Sequence, residues 1–469
     1  MKQKQKLSHS GLETLMNPRS VAVIGASREP ASVGFGILKS LVEGCVLRSA
    51  YCKPFLGRVY AVNPHAEMIL GKRCFKRISD VAEDVDVAII SLPAKIVPSV
   101  ARECGQKGVK ALIVVAAGFA ETGGEGAKLQ AELLAICKKF KMRLLGPNCL
   151  GILRPGSNYN ASFALSAPPA GQIAFVSQSG ALADSILDWA LSERYAFSSI
   201  VSLGNAADLD AADFLEFFEK DDQTKVITLY LEGLDDGRRF FEVAKRVGGK
   251  KPILLLKGGR TGAGEKAATS HTAALAGDWR VFQGAMRQAG VALVDSLEEL
   301  FDTAKTLATQ PRAKGNAITV VTNGGGAGVL ASDYCARLGV NLVPLKASTI
   351  AKLDATKKMH SAYSRRNPLD IVGDALPQRY EAAMEVLLAE EYVHGLIVIQ
   401  TLQTMTDAKR DAEAVVRMRA KYPSKPIVCV FMGGHYSAPG IKILRDAGIP
   451  DFNDPLKAAK AMAALCGAS

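Results

Sequence analysis

The stretch Ile173-Ala174-Phe175-Val176-Ser177-Gln178-Ser179-Gly180-Ala181 carries the pattern on which the architecture is built. Its first four residues are apolar, β-branched or aromatic and read as a buried strand. The small polar residues after them read as a turn, and a helical pattern starts at Ala181. A strand, a tight turn and a helix N-terminus in that order open a parallel α/β unit. The chain makes the same opening again, where a strand at 317–322 runs into Asn323-Gly324-Gly325-Gly326-Ala327-Gly328 and then a helix. This is the clearest internal echo in the sequence.

Working outward, further strands of the central unit are expected at 199–203, ending in Gly204-Asn205, at 226–231, ending in Glu232-Gly233, and at 252–256. Upstream, a strand at 20–24 breaks at Gly25-Ala26-Ser27 and resumes as a helix from about Gly34. Strands at 59–62, 85–92 and 111–116 follow, and Leu144-Leu145-Gly146-Pro147-Asn148-Cys149-Leu150-Gly151 closes the unit. Residues 155–171, with Ala167-Pro168-Pro169-Ala170, read as a linker. Downstream of Gln310-Pro311-Arg312-Ala313-Lys314-Gly315, strands near 395–400 and 427–432 complete a third α/β unit, with Asn367-Pro368-Leu369-Asp370 in a loop inside it. The expected division is a basic tail at 1–16, a Rossmann-like domain at 17–165, a second domain at 166–312 and a third at 313–469. At about 150 residues per domain, a length of 469 agrees with three.

Composition narrows the function. The formal charge of +12 would suit nucleic acid, but the basic residues are scattered and aromatics are only 6%, which gives no base-stacking signature. An acidic small ligand or acidic partner fits equally well. The basic run Met1-Lys2-Gln3-Lys4-Gln5-Lys6 is followed by no apolar segment of a targeting signal, and no apolar run approaches the roughly 20 residues of a membrane helix. Nine cysteines occur with no C-x-x-C pair, so neither a disulfide framework nor a zinc site is expected, and a cytoplasmic setting follows.

The chemistry centres on Ala267-Ala268-Thr269-Ser270-His271-Thr272-Ala273-Ala274, an imidazole between hydroxyls, preceded by Gly258-Gly259-Arg260-Thr261-Gly262-Ala263-Gly264. A lone histidine is most often a surface or satisfied core residue. A P-loop fails here, because Glu265 separates Gly264 from Lys266 and Ala267 stands where a hydroxyl is needed. A nucleophile elbow at Ser179 fails because Ser177 stands in place of glycine; a serine there also caps a helix whatever its function. The remaining reading makes His271 a nucleophile for a phosphoryl group, with Glu232 at a strand end orienting the ring. Ser179-Gly180 and Asn323, Gly325 and Gly326 would supply main-chain donors, each helix start carrying about half a positive charge. The segment 258–276, rich in small residues, would then be a mobile loop. A nicotinamide cofactor is disfavoured, because the strand at 59–62 ends in Asn63-Pro64 where an acid for the ribose is needed.

Taken together, Val23-Ile24-Gly25-Ala26-Ser27, Val62-Asn63-Pro64, Gly146-Pro147-Asn148, Val176-Ser177-Gln178-Ser179-Gly180, Ser202-Leu203-Gly204-Asn205, Ser270-His271-Thr272, Thr322-Asn323-Gly324-Gly325-Gly326 and Asn367-Pro368-Leu369-Asp370 resemble the NDP-forming acyl-CoA synthetases. These are relatives of succinyl-CoA synthetase, and the likeness is strongest to the α subunit of the ADP-forming acetyl-CoA type. The resemblance implies a CoA-binding Rossmann-like domain followed by two flavodoxin-like domains. It implies that Gly25, Ser27 and Asn63 lie along CoA, with Gly118 and Asn148 near its reactive end. His271 matches the phosphorylated histidine and Glu232 the glutamate that steadies it. It further implies reversible conversion of acyl-CoA, ADP and phosphate to acid, CoA and ATP, with ADP or ATP and Mg2+ held by an ATP-grasp β subunit in an α2β2 assembly. The alternative from another class is a non-catalytic CoA- or nucleotide-sensing protein on the same domains. Residues 44–55 match no part of the family pattern.

Overall fold

The computed structural model describes residues 9–272 and 278–467, with side chains over 11–267 and 278–467. The chain divides into two compact units, Met1–Ser296 and Leu297–Ser469.

The first unit holds two sheets. One contains β1 (Ser20–Ile24), β2 (Arg58–Val62), β3 (Met68–Ile69), β4 (Lys72–Phe75), β5 (Val87–Ile90), β6 (Ala111–Val114) and β7 (Arg143–Leu145), in the spatial order β3-β4-β2-β1-β5-β6-β7. All its pairs are parallel except β3 with β4. β1, β5 and β6 are buried along their whole length, as continuous apolar runs require when helices cover both faces. Val21 faces Val59 on one side and Val87 on the other, so strand order reverses at β1 and a crevice opens beyond the strand C-termini.

The other sheet contains β8 (Gly151–Arg154), β9 (Tyr159–Ser162), β10 (Ala170–Ser177), β11 (Phe197–Ser202), β12 (Val226–Leu231), β13 (Ile253–Lys257) and β14 (Val291–Leu293), in the order β14-β13-β12-β10-β11-β8-β9. Its parallel part is the flavodoxin-like arrangement, with β10 between β11 and β12. Residues 155–171, expected as a linker, instead contain a strand. β9 lies within them and pairs antiparallel with β8, which pairs antiparallel with β11. Tyr159-Asn160-Ala161-Ser162 is too short and polar to announce a buried strand. Its two smaller polar side chains find partners inside the protein: Asn160 Nδ2 donates to the Gly44 carbonyl at 3.0 Å, and Ser162 Oγ donates to Asn160 Oδ1 at 2.6 Å.

One hydrophobic cluster joins the two sheets, running from Leu15, Val21 and Ile89 to Val176, Phe214 and Leu229. An ion pair at its edge reinforces it, with the arginine buried. Arg143 Nε donates to Asp208 Oδ2 at 2.9 Å, and Asp208 also accepts the Leu144 N–H. The expected tail at 1–16 is shorter than read: His9–Met16 is a helix with Leu12, Leu15 and Met16 buried. Against the expectation drawn from the cysteine spacing, Cys45 and Cys52 form a disulfide with Cα atoms 5.6 Å apart. The chain folds back over residues 44–55 because Gly44, at φ +98°, lets Lys53 approach where any Cβ would collide. Two cysteines seven positions apart in sequence give no sign of that turn.

The second unit has a single parallel sheet of β15 (Ile318–Thr322), β16 (Leu369–Asp370), β17 (Gly395–Gln400), β18 (Ile427–Phe431) and β19 (Asp451–Phe452), in the order β16-β15-β17-β18-β19. This is again the flavodoxin-like order. The helix Leu297–Thr309, assigned from sequence to the middle domain, falls in this unit.

Candidate active site

The site is built on strand C-termini of the first unit. At the end of β1, Gly25 takes φ +90°, and a Cβ there would lie 2.3 Å from the Ser91 carbonyl oxygen, so only glycine lets β1 and β5 close this tightly. Asn63 Nδ2 donates to the Ala26 carbonyl at 2.6 Å while its Oδ1 accepts the His65 N–H. Asn63 thus fastens the glycine turn to the end of β2. Ser27 Oγ accepts the Glu29 N–H, and the helix Val33–Glu43 starts beyond it, capped by Ser32.

A cavity of about 410 Å³ lies where the ends of both sheets of this unit meet. Asn148 and Cys149 from the first domain and Ser179 and Gly180 from the second are among its walls. Asn148 adopts φ +58°, a left-handed conformation that asparagine tolerates better than most residues. The turn at 177–180 is internally tied: Ser179 N–H donates to Ser177 Oγ at 3.0 Å, and Ser177 Oγ donates to the Ser179 carbonyl at 2.7 Å. Ser179 Oγ caps the helix Gly180–Glu193 through the Leu182 N–H. The serine hydroxyls therefore shape the turn, and the donors offered to a ligand are the first main-chain N–H groups of the helix.

Glu232 is 7% exposed at the end of β12, and Gln178 holds it against this turn. Gln178 Oε1 accepts the N–H groups of both Glu232 and Gly233, and its Nε2 donates to the Gly233 carbonyl at 3.0 Å. Tyr230 Oη donates to Glu232 Oε1 at 3.2 Å, and Lys257 Nζ donates to the Glu232 carbonyl at 2.6 Å. Burial and then the Glu232 charge push the Tyr230 hydroxyl up to about 12. Burial lowers the Lys257 ammonium from its ordinary value, with Glu232 opposing the shift. A carboxylate held near a cation and a phenol is equipped to steady a positive imidazole.

The expected mobile loop at 258–276 is in large part the helix Gly262–Thr272. Thr261 starts it, accepting the Gly264 N–H on Oγ1 at 3.1 Å and the Glu265 N–H on its carbonyl, and Glu265, Lys266 and Ala267 favour helix. The His271 backbone belongs to this helix, but its side chain and residues 273–277 lie outside the described residues.

The second unit repeats the turn. Gly324 N–H donates to Thr322 Oγ1 at 3.0 Å, Thr322 Oγ1 donates to the Gly324 carbonyl, and the helix Gly325–Arg337 follows. Asn323 clasps the next strand end as Gln178 does, accepting the Thr401 N–H at 2.7 Å and donating to the Thr401 carbonyl at 2.9 Å. Its side chain is thereby engaged within the protein, whereas a Cβ at Gly326 would meet open space.

The comparisons with known proteins follow the same layout. A CoA binding domain matches residues 19–155, a succinyl-CoA ligase like flavodoxin domain 170–307, and a ligase-CoA domain 318–468. The α subunit of acetate–CoA ligase (ADP-forming) I from Pyrococcus furiosus is 39% identical, over 97% of each chain. The chain belongs to the ADP-forming acetate–CoA ligase family. It is also 43% identical to acetate–CoA ligase (ADP-forming) I of Archaeoglobus fulgidus over 97% of its own length, but spans only 63% of that longer protein. Among solved structures, a dinucleotide forming acetyl-coenzyme A synthetase 1 from Ca. Korarchaeum cryptofilum, in complex with phosphate and ADP, aligns with a TM-score of 0.91 at 38% identity, over 97% of this chain and 96% of that one. The family and the fold read from the motifs are thus borne out.

Of the residues singled out from sequence, Asn148, Ser179 and Gly180 share one cavity, Glu232 is tied to its edge, and Gly25, Ser27 and Asn63 form a separate group at the ends of β1 and β2. The Gly118 N–H is taken up by Glu121 Oε1 at 2.6 Å. The sequence reading gave no role to Gln178, Tyr230, Lys257 or Glu121. For Gln178 a signal existed: an amide side chain stands at the same place in both echoing turns.

Proposed function

We propose that this chain is the α-type component of an ADP-forming acyl-CoA synthetase acting in the cytoplasm, with His271 and Glu232 as its catalytic pair. In the proposed sequence a phosphate oxygen attacks the thioester carbonyl, the C–S bond breaks, and CoA leaves with the proton that phosphate gives up. The imidazole of His271 then attacks phosphorus, releasing the carboxylate, and ADP takes the phosphoryl group to form ATP. Splitting the transfer replaces one difficult step with easier ones. Gly25, Ser27 and Asn63 build the turn along which CoA lies, and Asn148 stands near its reactive end, as does Gly118 through its backbone. The N-termini of Gly180–Glu193 and Gly325–Arg337 each offer main-chain N–H groups to phosphate, on the turns that Ser179, Asn323 and Gly326 help to form.

The observation that supports this reading best is the cavity shared by Asn148 and the Ser179-Gly180 helix start, because the reaction needs a thioester and a phosphate at one place. ADP, and the Mg2+ that neutralises its phosphates, belong in this proposal to an ATP-grasp β chain, in an α2β2 assembly. The names of two relatives as α subunits and the greater length of others favour such a partner, separate or fused.

The test combines the chain with an ATP-grasp partner, acetyl-CoA and labelled phosphate. Acid-labile, base-stable label on the chain and ADP-dependent ATP formation are expected, and both should vanish in His271→Asn. Label that persists in the variant would end the phosphohistidine reading.

A further inference from the structure

The half-buried carboxylate of Glu121 lies outside the roles above, yet it anchors a chain of side chains that ends in the cavity. Glu121 Oε1 accepts the N–H groups of Gly118 at 2.6 Å and Phe119 at 3.2 Å, and its Oε2 accepts Asn205 Nδ2. Burial alone would raise this carboxyl, but Asn205 and the backbone N–H groups outweigh it and hold it below the ordinary carboxylate value. An ionised carboxylate only accepts, so it fixes which end of the Asn205 amide faces it. The second hydrogen on Asn205 Nδ2 goes to Gln130 Oε1 at 3.0 Å, and Gln130 Oε1 also accepts the Ala120 N–H. Asn205 Oδ1 must then face outward, where Asn148 Nδ2 meets it at 3.4 Å. Asn148 itself is set by its backbone, with N–H to the Ala116 carbonyl at 3.0 Å. Among the described residues the other Asn148 N–H has no partner, which leaves it for the cavity that both asparagines line.

We propose that Glu121 and Asn205 are positioning residues that orient the Asn148 amide so that its free N–H holds the carbonyl oxygen of a bound acyl thioester. The proposal rests on the reading of this chain as a CoA-thioester enzyme. A thioester carbonyl accepts and cannot donate, so an Asn148 amide turned the other way would present an oxygen to it. The relay also accounts for an anionic side chain beside a site for an anionic substrate: it sets direction, and its charge is absorbed by three N–H donors.

The test measures binding of acetyl-CoA and of S-ethyl-CoA, in which a methylene replaces the carbonyl, to the full chain by calorimetry. One hydrogen bond corresponds to about a tenfold preference for the carbonyl ligand. In Glu121→Gln, Oε1 must still accept from Gly118 and Phe119, so the new amide nitrogen faces Asn205 and the relay reverses. The preference should disappear while S-ethyl-CoA affinity stays within about twofold. Adding Asn205→Asp to Glu121→Gln restores an acceptor toward both the new amide at position 121 and Asn148. The double variant should regain the preference, which a merely structural role for Glu121 does not predict. Asn148→Gly, compatible with the positive φ, should also lose the preference, and it serves as the test if Glu121→Gln fails to fold. Equal affinity of the unaltered chain for the two ligands, or a preference that survives in Glu121→Gln or Asn148→Gly, overturns the relay and leaves the functional reading standing. Failure of the unaltered chain to bind either ligand removes both.

Discussion

Replacing Asp411 with asparagine should stabilise the second unit at neutral pH. Asp411 is 1% exposed, and its Oδ2 accepts Gln400 Nε2 at 2.6 Å. Its Oδ1 and Gln400 Oε1 are both buried without hydrogen-bond partners among the described residues. Two buried oxygens on this bonded pair therefore lack a donor, and a proton on Asp411 would supply one. Burial pushes the Asp411 carboxyl up to about 7, against the opposing effect of Gln400 and with a small contribution from the Asp407 charge. The unfolded chain has an aspartate near 3.9, so the folded state holds this proton more tightly. The stability linked to it is therefore fully present below about pH 4 and is lost as pH rises through about 7. A difference of roughly three units corresponds to about 4 kcal/mol at 1.36 kcal/mol per unit. Asparagine supplies a permanent N–H in place of that proton and does not titrate. Hydrogen exchange of peptides within 395–421, corrected for intrinsic pH dependence, should show the native chain losing protection relative to Asp411→Asn between pH 5 and 8. Parallel behaviour of the two chains over that range would show that Asp411 is ionised and accommodated in the fold, and would refute the shared-proton account.

Three further expectations are local. Ser179→Ala removes a helix cap and should cost about 1 kcal/mol in thermal unfolding, yet change the KM for phosphate by less than about twofold if main-chain N–H groups bind it; a tenfold rise would assign that role to the hydroxyl. Asp208→Ala leaves Arg143 buried beside Asp213 with one counterion fewer and frees the Leu144 N–H, so urea unfolding of the first unit should lose about 3 kcal/mol. A loss below about 1 kcal/mol would mean that Asp213 alone satisfies the guanidinium. Alkylation of the denatured, unreduced chain should leave Cys45 and Cys52 unmodified until reductant is added, while Cys74, Cys104, Cys137, Cys149, Cys335, Cys429 and Cys466 react.

Most of the architecture was legible because parallel strands buried on both faces must be nearly continuous apolar runs, and those at β1, β5, β10, β12, β15 and β17 are. The hairpin of β8 and β9 escaped notice because its burial depends on Asn160 reaching Gly44, 116 positions away, and on Ser162 satisfying Asn160, neither of which a strand pattern displays. The helix Gly262–Thr272 was hidden by the glycines between 258 and 264 that suggested a loop, although Thr261 and the residues from Glu265 onward carried an ordinary start signal. In the site, residues with special backbone geometry were readable, Gly25 among them. Glu121 was not, and Gln178 and Asn205 showed only as an amide repeated in the echoing turns and as a strand-end motif, since what each does depends on which partner consumes each donor.

The two echoing turns carry this point into mechanism. In both, a hydroxyl at the strand end bonds the main chain two residues on, and the next residue's amide clasps the neighbouring strand: Ser177 and Gln178 in one unit, Thr322 and Asn323 in the other. Each clasp sits where strand order reverses, between β10 and β12 or between β15 and β17, so it closes the crevice floor at the point where a ligand binds in such sheets. The polar side chains of the turn are thus occupied in fixing the backbone. What they leave is a row of helix N-terminal N–H groups already aimed, which need no reorganisation when negative charge arrives. On the proposed reading, phosphate is therefore recognised by main chain. Gln178→Ala should then reduce turnover by releasing Glu232 and loosening the turn, without Gln178 touching substrate, and a KM for phosphate that rises together with a falling kcat would mark that loss of preorganisation.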